Sequence, residues 1–168
     1  MNCIKKTILL SYNKINNIFS FVIKMLTIET LSFSTKTKGN TSINDITENV
    51  QTLINSSGFK EGSALVFVIG STAGITTIEH EPGLLKDYPS FFDKIIPSNQ
   101  SYHHDDTWHD GNGHSHIRAS LQGASFTVPF TNGRLLLGTW QQIILIDFDN
   151  HPRNREIIVQ LSGIKNEK

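Results

Sequence analysis

Residues 26–37, LTIETLSFSTKT, alternate apolar and polar side chains, and their threonine and β-branched content fits an extended chain. A first strand is expected there, broken by Gly39-Asn40. The spacing then changes. Ile43, Ile46, Val50, Leu53 and Ile54 recur at helical intervals, and Ser42 with Asp45 resembles a capping box. Gly58 stands where a helix end favours a left-handed residue, so an amphipathic helix is expected over 43–57, packed on a sheet. Residues 64–70, ALVFVIG, form a continuous apolar run of strand length, which predicts burial on both faces. The small residues Ser71-Thr72-Ala73-Gly74 that follow leave room for a ligand, or simply mark a tight turn.

A helical patch opens at Pro82, with Phe91, Phe92, Ile95 and Ile96 as its buried face. Pro89 should kink it or start a second helix, and Pro97 should stop it. Strands are expected again at 117–121, 125–130, 135–137, 142–148 and 156–161. Thr131-Asn132-Gly133 supplies a hairpin turn. Gly138 and the turn Asp149-Asn150-His151-Pro152 separate the later strands, so the C-terminal half reads as an antiparallel meander. The predicted class is α+β: one domain, an antiparallel β-sandwich or partly closed barrel with two helical segments packed on it.

Composition narrows the picture without redirecting it. The chain has 168 residues, and its 15 Lys and Arg balance its 15 Asp and Glu, so nothing favours nucleic acid or an anionic membrane as partner. Cys3 is the single cysteine, which excludes a disulfide within the chain and a cysteine-ligated zinc knuckle. Residues 1–24 carry Lys5, Lys6, Lys14 and Lys24 and no acid; Glu29 is the first acidic residue. Their apolar runs are too short for a membrane span, and no small-residue cleavage pattern follows. They read as a leader or a mis-assigned extension ahead of Met25, with the domain over 25–164 and a frayed tail at 165–168. A cytoplasmic location is expected, with organelle import only if residues 1–24 are a genuine leader.

The candidate chemistry lies in residues 102–123, YHHDDTWHDGNGHSHIRASLQG. Five of the seven histidines fall between His103 and His116, among Asp105, Asp106 and Asp110. If the segment is extended, His114 and His116 share one face, and one of His103 and His104 completes three imidazoles for a divalent ion. The aspartates could add a ligand or fix a histidine tautomer. The competing reading is a solvated, metal-free histidine loop. Glu79 and Glu81 flank His80 and share a face; either could be a general base or metal ligand, or both could simply precede a helix. Arg118, Arg134, Arg153 and Arg155 have the fork geometry that matches phosphate oxygens. Trp140, beside Gly138-Thr139, suits a core or subunit contact.

Several blocks together resemble the YjbQ-like family, also described as secondary thiamine-phosphate synthases. They are Glu79 to Leu84 (EHEPGL), Asp87, Tyr102 with His104-Asp105, Asn112-Gly113-His114-Ser115-His116, Gly123, Val128-Pro129, Asn132-Gly133, Leu137-Gly138-Thr139-Trp140-Gln141 and Pro152-Arg153 with Arg155. The resemblance runs from about residue 26 to 163. It implies a jelly-roll-like sandwich with helices on one side, a homotrimer, and a divalent ion, zinc by preference, on His104, His114 and His116. The tyrosine–x–histidine–aspartate block is what selects His104 over His103. The implied activity joins an aminopyrimidine pyrophosphate to a thiazole phosphate and releases pyrophosphate, although the chain shows no phosphate-cradling glycine loop. Glu79, Asp105 and His104 are then the candidate catalytic groups. Asn112, Thr139, Gln141, Arg118 and Arg153 are the candidate substrate contacts. A metal-dependent hydrolase with Glu79 or Asp105 as base, and a non-catalytic small-molecule-binding trimer, are the competing functions.

Overall fold

Alternating burial along the first and last strands shows how the chain layers itself. The structure, a computed structural model, describes residues 26–165; the expected leader over 1–24 and the last three residues lie outside that range. The elements, in chain order, are β1 (Thr27–Lys36), β2 (Ser42–Asp45), α1 (Thr47–Ser57), β3 (Phe59–Val68), β4 (Ala73–Ile78), α2 (Leu84–Ile95), α3 (His103–Trp108), α4 (Gly113–Gln122), β5 (Ser125–Thr131), β6 (Arg134–Leu135), β7 (Gln142–Asp147) and β8 (Asn154–Lys165). Lys165, expected in a frayed tail, closes β8 and pairs with Glu29.

Two antiparallel sheets result, a large one in the order β1-β8-β3-β5-β6 and a small one in the order β2-β7-β4. Their facing sides enclose one core. Val66, Phe130, Val159 and Leu161 come from the large sheet, Ile75, Ile143 and Leu145 from the small one, and α1 adds Val50 and Ile54, with Ile46 just ahead of it. The opposite side of β7 builds a second core, where Ile144 and Ile146 meet Phe92, Ile96, Ala119 and Phe148 beneath α2 and α4. The molecule is thus an α+β sandwich with a helical layer on its smaller sheet.

Several expectations need correction. β7, not β3, is the strand buried on both faces; β3 alternates and leaves Leu65, Phe67 and the following Ile69 on the surface. The C-terminal half is no meander, because β7 joins β2 and β4 while β8 crosses to lie between β1 and β3. Ile43 belongs to β2, so the first helix begins only at Thr47; Asp45 accepts the Thr47 N–H at 2.9 Å. That helix does end at Gly58 with φ 77°. α2 runs through Pro89 without a break; α3 and α4 are additional to the two expected helical segments, so the described residues hold four helices. Asn132 and Gly133, at φ 51° and 73°, make the expected two-residue hairpin between β5 and β6.

Candidate functional site

The largest departure falls on the histidines. Residues 113–122 are the helix α4, so His114 and His116 sit about 200° apart around its axis instead of sharing a strand face. The pattern is inverted: α4 buries His114, Ser115, Arg118 and Ala119, and exposes Ile117 and Leu121. Its polar inner face is matched by fixed partners. Ser115 Oγ donates to the Phe148 carbonyl at 2.6 Å and lies 3.3 Å from His114 Nε2. Tyr88 donates to the Gln122 side-chain oxygen. Arg118 is 2 % exposed; it donates through Nε to the Ile96 carbonyl at 3.0 Å, and through its terminal nitrogens to Thr41 at 2.9 Å and Asp93 at 2.6 Å. This arginine ties the end of α2 to α4 and is not presented to a ligand.

The short helix α3 brings His104 to α4. Asp105 Oδ1 accepts the Gly113 N–H at 3.0 Å, which joins the two helix ends. Gly113 is required by packing: a Cβ there would lie 2.5 Å from Tyr102 Cβ and 3.2 Å from His104 Cβ. The result places the His104 and His116 rings 4.4 Å apart, centroid to centroid, with planes inclined by 43°. Asp110 Oδ1 stands 3.6 Å from His104 Nε2, an ion-pair distance beyond hydrogen-bond length. His103 faces outward, fully exposed, beside Asp106. His116 also borders an open cleft of about 220 Å³, lined by Gly70, Ser71, Ala73, Ala119, Ser120 and Gly123.

Four buried polar atoms near this junction have no hydrogen-bond partner: His104 Nε2, His114 Nδ1, Asn112 Oδ1 and Asn150 Oδ1. Asn150 reaches the site by donating to the Asp110 carbonyl at 2.8 Å. Burial lowers the pKa of both His114 and His116; the Arg118 charge adds to it for His114, and the neighbouring His104 for His116. Both imidazoles are therefore held neutral near pH 7. Among the described residues, no group of three or more His, Cys, Asp or Glu side chains is arranged to hold a metal ion.

Beneath the pocket, strand ends are clamped by two acid–arginine pairs. Arg155 donates to both oxygens of the fully buried Asp147, at 2.8 and 2.6 Å, and to Thr72 Oγ1 at 2.7 Å. Arg153 donates to both oxygens of Asp149, at 3.0 and 3.2 Å, while Thr72 donates to Asp149 at 2.9 Å. Burial pushes the Asp149 pKa up, but the hydrogen bonds from Arg153 and Thr72 outweigh it, and the net shift is downward. The sequence signal of this clamp is the spacing Asp147, Asp149, Arg153, Arg155 across one turn, which the reading of the arginines as separate phosphate ligands does not use.

The remaining candidates lie elsewhere. Glu79 is exposed just past β4, whereas His116 adjoins Ala73 at the strand's start, about 20 Å away for six extended residues. Within one chain Glu79 does not serve the histidine pocket. Glu81 accepts the Gly83 N–H at 2.6 Å and that of Leu84, so it caps α2, and these bonds lower its pKa. Asp105 has one oxygen committed to Gly113. Gln141 closes its own turn by accepting the Gly138 N–H at 3.1 Å and donating to Thr77 at 3.0 Å; Thr139 and Trp140 are exposed on that turn.

The fold is a two-sheet sandwich whose helical layer carries the paired rings of His104 and His116. The chain belongs to the YjbQ-like family: the family model described as UPF0047 protein YjbQ-like matches residues 30–164. It is 38 % identical over 145 residues to a UPF0047 protein of Methanocaldococcus jannaschii, covering 86 % of this chain and 99 % of that one. It is 37 % identical over 130 residues to a UPF0047 protein of Archaeoglobus fulgidus, covering 77 % and 98 %. The crystal structure of a YbjQ-like protein of unknown function from Sulfolobus solfataricus P2 superimposes with a TM-score of 0.78 at 32 % identity, covering 83 % of this chain and 99 % of that one. Among the described residues, no helix is long and apolar enough to cross a membrane.

Proposed function

We propose that this chain is a metal-dependent enzyme acting on a phosphorylated small molecule, of thiamine-phosphate synthase type. It would join an aminopyrimidine pyrophosphate to a thiazole phosphate with release of pyrophosphate. The observation that carries the reading is the close pair of His104 and His116, with His104 Nε2 buried, without a hydrogen bond and 3.6 Å from Asp110 Oδ1. Leaving a buried polar atom unsatisfied costs about 1–3 kcal/mol, so a ligand that takes it up is favoured. Neutral imidazoles are the form that binds a divalent cation, and burial supplies it for His116 and His114.

Imidazole is a donor that suits an ion such as zinc, although among the described residues no three such groups are arranged around one point. His104 and His116 would hold the ion; His114, whose Nδ1 is also unmatched, lies about 200° round α4 from His116 and would have to turn to join them. A bound ion would supply Lewis acidity toward phosphate oxygens. The protein's own groups have separate tasks. The small-residue cleft beside His116 receives the body of the ligand. Arg153, oriented by Asp149 and 45 % exposed at its side chain, keeps guanidinium edge free for a phosphate oxygen. The homotrimer is part of the proposal; exposed Phe91, Ile95, Ile117 and Leu121 on the helical layer give apolar surface that assembly would cover.

The test is pyrophosphate release from the two substrates, with and without chelator, in the wild type and in His104→Ala and His116→Ala. Loss of release in all three treatments is expected. Release that survives chelation and both substitutions overturns the proposal, and a folded protein without turnover leaves the non-catalytic binding function in its place.

A further inference from the structure

Away from the histidines, a second cavity of about 400 Å³ opens between the end of β1 and the edge strand β2, lined by Lys36, Lys38, Ser42, Asn44, Asp45 and His80. Its two lysines flank Thr37, which turns inward and donates to Asp147 Oδ2 at 2.5 Å. Alternation puts Lys36 and Lys38 together on the other side. Their backbone is pinned at three points. The Lys36 carbonyl accepts from Asn44 Nδ2 at 3.2 Å, the Thr37 N–H donates to the Arg153 carbonyl at 2.9 Å, and the Lys38 N–H donates to Ser42 Oγ at 3.2 Å.

The charges in this groove are unbalanced. Among the described residues neither lysine ammonium has an ion-pair or hydrogen-bond partner. Asp45, the acid in the lining, already accepts from the Thr47 N–H. The Ser42 hydroxyl accepts from Lys38 and keeps its own proton to donate. His80 lines the remaining wall, its main chain held by its N–H donating to Gln142 Oε1 at 2.9 Å. Two point charges, a hydroxyl donor and an imidazole around a hollow of this size match a compact dianion, since ammonium groups bind phosphate as point charges.

We propose that this groove is a binding site for a small phosphate-bearing anion, separate from the histidine pocket. Lys36 and Lys38 neutralise the phosphate, Ser42 donates to one of its oxygens, and the second oxygen of Asp45 accepts from an N–H or O–H on the ligand's body. The site does not depend on the reading of the histidines.

Inorganic pyrophosphate titrated into the full chain by calorimetry, in chelator-treated buffer, tests it. The comparison is between wild type, the double variant Lys36→Ala/Lys38→Ala, its arginine counterpart Lys36→Arg/Lys38→Arg, and His116→Ala, each checked for an unchanged melting temperature. The expected result is affinity weakened about tenfold or more by the alanine pair, restored by the arginine pair and untouched by His116→Ala. Wild type that fails to bind pyrophosphate, binding unaffected by the alanine pair, or binding lost with His116→Ala would each overturn the proposal. The last outcome would assign the anion to the histidine pocket instead.

Discussion

The imidazoles of His104 and His116 stand 4.4 Å apart between centroids with their planes inclined by 43°, although one is carried by a six-residue helix and the other by the next helix in the chain. Their approach depends on Gly113. Replacing it with alanine would drive a methyl group into Tyr102 and His104 and force α3 away from α4. Gly113→Ala should cost about 1–3 kcal/mol of stability. It should also weaken ligand binding at the histidines more than the loss of stability accounts for. Chemical denaturation paired with metal titration measures both, and unchanged metal affinity in a destabilised variant would detach His104 from the site.

Arg118 separates a structural arginine from a phosphate-binding one. Its fork is filled by the Ile96 carbonyl, Thr41 and Asp93. Arg118→Lys keeps the charge but loses the planar set of donors, so it should lower stability by about 1.5–3 kcal/mol. KM for a phosphorylated substrate should be unchanged. A raised KM with a normal unfolding midpoint would show that the side chain meets the ligand.

Much of the fold is legible in the residue pattern, and the failures share a cause. The strand at 27–36, the helix stop at Gly58 and the Asn132-Gly133 turn follow from local alternation and turn chemistry. α4 defeats the local pattern because its buried face is polar and its apolar residues point outward, which inverts the usual periodic signal. A Gly123 stop and the i,i+4 pair Ile117 and Leu121 were the available clues. The apolar run of β3 suggested two buried faces, but which strand lies between two layers is decided by sheet order, which no local pattern encodes. The site shows the same division. Clustering groups His104 with His116, while alternation around His80 says which face Glu79 occupies and nothing about which end of β4 it reaches. Arg118 misled because a guanidinium fork fits a carbonyl and a carboxylate as well as it fits a phosphate.

The clamp under the pocket should govern acid sensitivity. Asp149 has a folded-state pKa below the ordinary 3.8, because the Arg153 and Thr72 hydrogen bonds exceed the effect of burial. Its stabilisation is present above the unfolded value and disappears as pH falls through 3.8 toward the folded value. Urea unfolding from neutral pH downward should therefore show wild-type stability falling below about pH 5, with a shallower fall in Asp149→Asn. Parallel slopes for the two proteins would mean that the acid limb arises elsewhere.

Arg155 and Asp147 form the buried half of that clamp, at 8 % and 0 % side-chain exposure. Arg155→Leu leaves the Asp147 carboxylate without its counter-charge and should cost about 3–5 kcal/mol. Replacing both with apolar residues should cost less than the single change, a comparison that a double-mutant cycle makes directly. Equal or additive losses would argue against coupling between them.

The most direct measurement is zinc binding to the metal-stripped full chain, followed by calorimetry for wild type, His116→Ala and the outward-facing control His103→Ala. The expected result is saturable binding in the wild type, retained by His103→Ala and lost in His116→Ala, with all three equally folded by circular dichroism. Zinc bound as tightly by His116→Ala as by the wild type, or no saturable binding by any of the three, would contradict the assignment of His104 and His116 as a ligand-holding pair.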